Sequence, residues 1–78
     1  MDKLPLLGPN ELTRVLGHLG FKFNRQKGSH IIFTHQDNRM VVVPIHSGRK
    51  IGKGLLSSII KNQLRITREE FLRILEKL

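Results

Sequence analysis

The chain contains no cysteine, so neither a disulfide framework nor a zinc knuckle can staple it, and thiol nucleophiles are excluded. A secreted domain of this size usually needs such bridges. The start, Met1-Asp2-Lys3-Leu4-Pro5, carries no apolar signal core, and no stretch approaches the length of a membrane span. The cytoplasm is therefore the expected compartment, and no membrane contact is expected. Carboxylates are scarce as well: six Asp and Glu stand against fourteen Lys and Arg. Without an acidic cluster, a two-metal nuclease site is disfavoured. Ser29 adjoins His30, but the only aspartates, Asp2 and Asp37, are poorly placed to complete a Ser-His-Asp triad. A His-only zinc site would need several of His18, His30, His35 and His46 to converge, which their spacing does not suggest. No metal and no cofactor are expected.

Seventy-eight residues make one small domain, residues 1–78, with room for a single thin core and two layers of secondary structure. No repeat, linker or low-complexity segment divides it. The net charge of +8 is unevenly spread. Between Gly20 and Arg68 the only acid is Asp37, whereas Lys22, Arg25, Lys27, Arg39, Arg49, Lys50, Lys53, Lys61 and Arg65 are basic. Such a field draws nucleic acid, anionic lipid or an acidic protein.

Residues 1–8 form an irregular lead-in. Pro9 suits a first helical position, Leu12, Val15, Leu16 and Leu19 recur at helical spacing, and Gly20 marks the stop. Alternation then begins, Phe21 and Phe23 pointing one way and Lys22 and Asn24 the other, which predicts a half-buried strand to about Lys27. Gly28-Ser29 is a turn, and His30 to His35 a second strand rich in β-branched residues. Gln36 to Arg39 is a second turn, with Asn38 suited to a left-handed conformation. Met40 to Val43 is a third strand, closed by Pro44. After the loop from Ile45 to Gly52, a second helix from about Lys53 is expected to bury Leu55, Leu56, Ile59 and Ile60. Thr67 and Glu70 have capping-box spacing, opening a third helix that buries Phe71, Ile74, Leu75 and Leu78. The fold class is α+β, in the order α-β-β-β-α-α, with a three-stranded antiparallel meander and helices on one face.

On a regular second strand, His30 shares a face with Ile32 and Thr34, opposite Phe33. Phe33 must find the core, so His30 belongs on the open face, close to Arg25 and Lys27 across the turn. Taken alone, such a histidine simply closes a hairpin at the surface. Beside cations it suits RNA cleavage, because the 2′-hydroxyl is an internal nucleophile and the protein need only move protons and stabilise phosphorane charge. Imidazole, with an ordinary pKa of about 6.5, can accept or return a proton near neutrality, and Lys or Arg can stabilise the developing charge. DNA lacks that nucleophile. His18 fits the last turn of the first helix, where a cation favours the dipole. His35 packs at the turn, and His46 sits in the basic loop. Arg49-Lys50-Ile51-Gly52-Lys53-Gly54, ahead of the second helix, is either an ordinary basic loop or a backbone-phosphate site; it lacks the ending of a P-loop.

These residues resemble the HicA family, also called YcfA-like, the messenger-RNA-cleaving toxins of HicAB toxin–antitoxin pairs. The resemblance covers nearly the whole chain. Gly20-Phe21 and Arg25-Gln26-Lys27-Gly28-Ser29-His30 are its most specific part; Ile32-Phe33, Asp37 to Arg39, Val43-Pro44, His46, Gly52 to Gly54 and Thr67 through Phe71 agree in order and spacing. It implies a double-stranded-RNA-binding-domain-like fold, ribonuclease activity without a cofactor, and a cognate HicB-like antitoxin. The family's catalytic histidine, in its Gly-Ser-His motif, falls on His30. Two positions depart: Ile31 stands where many relatives carry a second histidine, and Asn38 where they carry glycine. The first leaves open whether proton transfer has a helper.

The resulting expectation is a metal-independent endoribonuclease toxin acting on mRNA. His30 is its catalytic group, Gly28 makes the turn, and Arg25, Lys27, Ser29, Lys50 and Lys53 bind RNA phosphate. An antitoxin would cover the His30 face, with acids against Arg25, Lys27 and Lys53. The alternatives are a non-catalytic RNA-binding module of the same fold and an interaction protein for an acidic partner.

Overall fold

A computed structural model describes residues 3–45 and 48–78 of the chain. His46 and Ser47, in the basic loop, lie outside the described residues. Helix α1 spans Pro9–His18, with Gly8 as its N-cap. Pro9 takes the first helical position, and Glu11 Oε1 accepts from the Gly8 N–H at 2.8 Å. Gly20, at φ 94°, ends this turn in a conformation that side chains resist. The chain then enters β1 (Lys22–Lys27), β2 (His30–Thr34) and β3 (Met40–Pro44), an antiparallel sheet in the order β1-β2-β3. Helix α2 (Lys53–Ser58) runs directly into a π-helical stretch (Ile59–Leu64), and α3 covers Arg68–Glu76. Thr67 caps α3, its Oγ1 accepting from the Glu70 N–H at 3.1 Å. The expected α+β architecture and element order are thus present.

Leu12, Val15 and Leu16 of α1, Phe33, Val41 and Val43 of the sheet, Leu56 of α2, Ile59, Ile60 and Leu64 of the π-helical stretch and Phe71 and Ile74 of α3 form one core. The lead-in is not idle. Leu4 and Leu7 are buried in the same core, and Leu7 bridges Ile51, accepting from its N–H at 2.6 Å. Helix α1 and the π-helical stretch pack against β3. Gln63 of that stretch accepts from the outward-pointing Val42 N–H at 2.9 Å, giving a β3 edge donor the partner it needs.

Three sequence-based expectations require correction. Phe23 is 61% exposed, although it shares the core-facing side with Phe33. The helical layer is built over β3, all six residues of β1 are exposed, and Phe21, just before the strand, is the aromatic that becomes buried. Leu55 and Leu78 are also exposed, at 44% and 40%. Leu55 is on the side of α2 away from Leu56, which faces the core, and Leu78 follows the end of α3.

Candidate nucleic-acid interface

The candidate surface is built by the β1–β2 hairpin. Its two-residue turn places Gly28 at φ 61°, the left-handed position that such hairpins reserve for glycine. Gln26 Nε2 donates to the Gly28 carbonyl at 3.1 Å, holding the turn from the side. Across it, Lys27 and His30 are direct register partners, and both are exposed. Directly paired residues share a sheet face. His30 is therefore on the face away from the core, together with Ile32 and Thr34.

One residue decides where the cations of β1 point. With strict alternation, Arg25 and Lys27 would follow Phe23 toward the helical side. Pairing instead slips at Asn24: Phe23 faces Phe33, and Arg25 faces Ile32. This extra residue is a β-bulge. It turns both Arg25 and Lys27 onto the face of His30, with Lys22 opposite Thr34 completing the row. Nothing in the composition of Phe23-Asn24-Arg25 announced it; the signal was the clash between a hydrophobic alternation and cations needed on the other face.

A groove of about 560 Å³ is lined by Lys27, Gly28, Ser29, His30, Ile32 and Val42. The structure thus gathers Lys27, Gly28, Ser29 and His30 in one place, with Arg25 next along the sheet. Its floor was not anticipated. Ile32 is only 8% exposed yet stands apart from the core between sheet and helices, and Val42 is its partner on β3. Lys50 and Lys53 do not line this groove; Lys53 is the first residue of α2. Lys50, with Arg49 and Gly52, lines a smaller groove that reaches Pro44 and Leu55, and Pro44 is the register partner of His30. Lys50 is also drawn toward α1, its Nζ 3.7 Å from Glu11 Oε1. The Gly8 N–H bond holds the Glu11 carboxyl below the usual glutamate range, with the Lys50 and Arg14 charges helping against desolvation.

The other histidines and one arginine have structural places. His18 is exposed in the last turn of α1. His35 Nε2 is 3.0 Å from the Leu19 carbonyl, its Nδ1 accepts from the Asp37 N–H at 3.1 Å, and its ring lies 5.0 Å from that of Phe21. Arg39 does not belong to the cationic surface. It pairs with Asp37 at 2.8 Å, donates to the Leu64 carbonyl, and lies 5.0 Å above the Phe21 ring. Among the described residues no three of His, Asp and Glu come together as metal ligands.

A family model described as HicA toxin of bacterial toxin-antitoxin matches residues 9–64, from the start of α1 through the whole sheet to the end of the π-helical stretch. The chain belongs to the HicA toxin family. No curated protein matches it. Membership makes this HicA protein a toxin of a toxin–antitoxin pair, with a cognate antitoxin as partner. The groove, the cationic row and the Gly28-Ser29-His30 turn all lie within the matched residues, whereas α3 lies beyond them. None of its described helices is long and apolar enough to cross a membrane.

Proposed function

We propose that this HicA toxin is a metal-independent endoribonuclease that cleaves mRNA, with His30 as its catalytic residue. The observation that carries the reading is the pairing of an exposed His30 with Lys27 across the turn, inside the groove of about 560 Å³. The substrate supplies its own nucleophile. The imidazole takes the proton of the ribose 2′-hydroxyl as the oxygen attacks phosphorus, or returns one to the departing 5′-oxygen. The P–O5′ bond breaks as the O2′–P bond forms, leaving a 2′,3′-cyclic phosphate and a 5′-hydroxyl. Lys27 and Arg25 stand where they can stabilise negative charge on the non-bridging oxygens. Ser29 offers a hydroxyl at the groove wall, and Lys50 and Lys53 extend the positive surface toward neighbouring phosphates. A HicB-like antitoxin would silence the toxin by covering the His30 face, its acids against Arg25, Lys27 and Lys53.

The test is cleavage of labelled RNA in the presence of chelator. The wild-type protein should cut, His30→Ala should lose at least a hundredfold in rate while retaining RNA affinity, and DNA of the same sequence should stay intact. Equal cleavage by wild type and His30→Ala would remove His30 from the mechanism. Tight binding with no cleavage by either would identify an RNA-binding module.

A further inference from the structure

The open face of the sheet is graded from strand to strand. Register places Lys22, Arg25 and Lys27 of β1 beside Thr34, Ile32 and His30 of β2, and these beside Met40, Val42 and Pro44 of β3. One outer row is cationic, the other is apolar, and the histidine lies between them. Met40 is 51% exposed, and Val42 and Pro44 are partly exposed. Val42 also shares the groove floor with Ile32, directly beside His30 and Lys27.

We infer that the β3 row is a nucleobase platform, which orients unpaired nucleotides across the sheet. This inference rests on the nuclease reading above and deepens it. Neighbouring strands lie about 4.8 Å apart, so the two outer rows are separated by roughly 10 Å. That is about the reach of a nucleotide from its phosphate to the far edge of its base. With the phosphate held over β1, the ribose falls over β2, where His30 stands, and its base over Pro44 and Val42, while Met40, about 13 Å further along the strand, meets the base of the adjoining nucleotide. Charge complementarity fixes the direction: a polyanion backbone cannot sit on the apolar row without losing its counter-charges, and a base gains little over lysines. A duplex presents phosphates and riboses but keeps the faces of its bases stacked. An apolar row beside the cations has a use only when a base has left the stack, and contact between a base face and apolar side chains involves no hydrogen bond that would read its identity. The platform therefore selects single-stranded segments without reading their sequence.

The experiment compares binding of two 2′-O-methyl oligonucleotides of equal length and charge, one carrying bases and one abasic throughout, so that cleavage plays no part. Anisotropy titrations should show wild-type protein binding the base-bearing strand about tenfold more tightly, as a few tens of Å² of apolar contact predicts. Val42→Thr, which keeps the branched shape and adds a hydroxyl, should narrow that gap by at least threefold. So should Met40→Gln, an exposed position where folding is not at stake. Neither change should alter affinity for the abasic strand. Equal affinity of wild type for the two strands, or variants that weaken both alike, would overturn the platform while leaving His30-dependent cleavage standing. Variants that lose binding to an antitoxin but keep the full gap would assign the row to the protein partner instead. Failure to bind either strand would overturn the nucleic-acid reading and the platform together.

Discussion

The guanidinium of Arg39 donates through Nη1 to the carbonyl oxygen of Leu64 at 2.6 Å. It ties the β2–β3 turn to the last residue of the π-helical stretch, where helical carbonyls run out of intrahelical partners. The same guanidinium is held by Asp37 and lies over the Phe21 ring. Three anchors on one side chain make it part of the scaffold. Arg39→Ala removes a charged donor from the carbonyl, which costs about 2 kcal/mol. Denaturant titration should show that loss, with an unchanged dependence on denaturant concentration and unaltered RNA affinity per folded molecule.

Asp37 supplies the acid side of the same clasp. Desolvation, the largest single influence on its carboxyl, pushes the pKa up. The Arg39 N–H and side-chain bonds, with the Arg39 and His35 charges, outweigh it and leave the carboxyl below its ordinary range. A carboxyl lowered on folding stabilises the native state above its unfolded pKa, about 3.9 for aspartate. That contribution is lost as pH falls through the lower folded value. Asp37→Asn should therefore be less stable than wild type at pH 5. The margin should shrink below about pH 4 and vanish once both proteins carry a neutral side chain there. Thermal melts of the pair across that range measure the difference, which cancels the parallel contribution of Glu11.

How far the sequence disclosed this molecule can be judged from Phe23, Arg39 and Leu64. Helical spacing located the helices and hydrophobic patterning located β2 and β3, because each buries one apolar face, while β1 was bounded by Gly20 and Gly28 although it buries no face. The open-face position of His30 followed from Phe33 needing the core. Phe23 was misplaced because period-two patterning assumes a regular ladder covered by helices, and β1 is neither regular nor covered. The bulge at Asn24 is a register event, set by pairing with β2 and invisible in β1 alone. Arg39 was counted among the surface cations because a charge total cannot tell a solvated guanidinium from one clasped by Asp37 and a carbonyl. The π-helical stretch through Leu64 is likewise a tertiary product: its widened turn carries Gln63 to the β3 edge. The catalytic and RNA-binding roles assigned to Arg25, Lys27, Ser29, His30, Lys50 and Lys53 remain for the experiments above.

Two glycines separate backbone strain from steric collision. Gly28 has φ 61° with nothing within 4 Å of an added Cβ, so Gly28→Ala meets only the left-handed penalty, about 1 to 2 kcal/mol. Gly20 has φ 94°, and its Cβ would lie 3.1 Å from His35 Nε2. Alanine there adds crowding of the bond between His35 and Leu19 to the backbone cost. Gly20→Ala should be the more destabilising by about 1 kcal/mol or more, as expected when a partly buried hydrogen bond is displaced. Their urea midpoints rank the two directly, and the reverse order would mean that the His35 ring moves aside freely.

Salt dependence distinguishes the cations that meet RNA from those that hold the fold. Each phosphate neutralised by a bound protein releases counterions, so the slope of log affinity against log salt counts the contacts. Lys27 is exposed beside His30, and the Asn24 bulge brings Arg25 to the same face. Removing either by Lys27→Ala or Arg25→Ala should lower the slope for single-stranded RNA by about 0.7. Arg39→Ala deletes the same formal charge, but from a guanidinium already clasped by Asp37 and Leu64. Its slope should match that of wild type. If all three variants lose slope equally, RNA responds to the overall charge of the molecule and not to a cationic row on one sheet face. The alignment of phosphate over β1 would then fail with it.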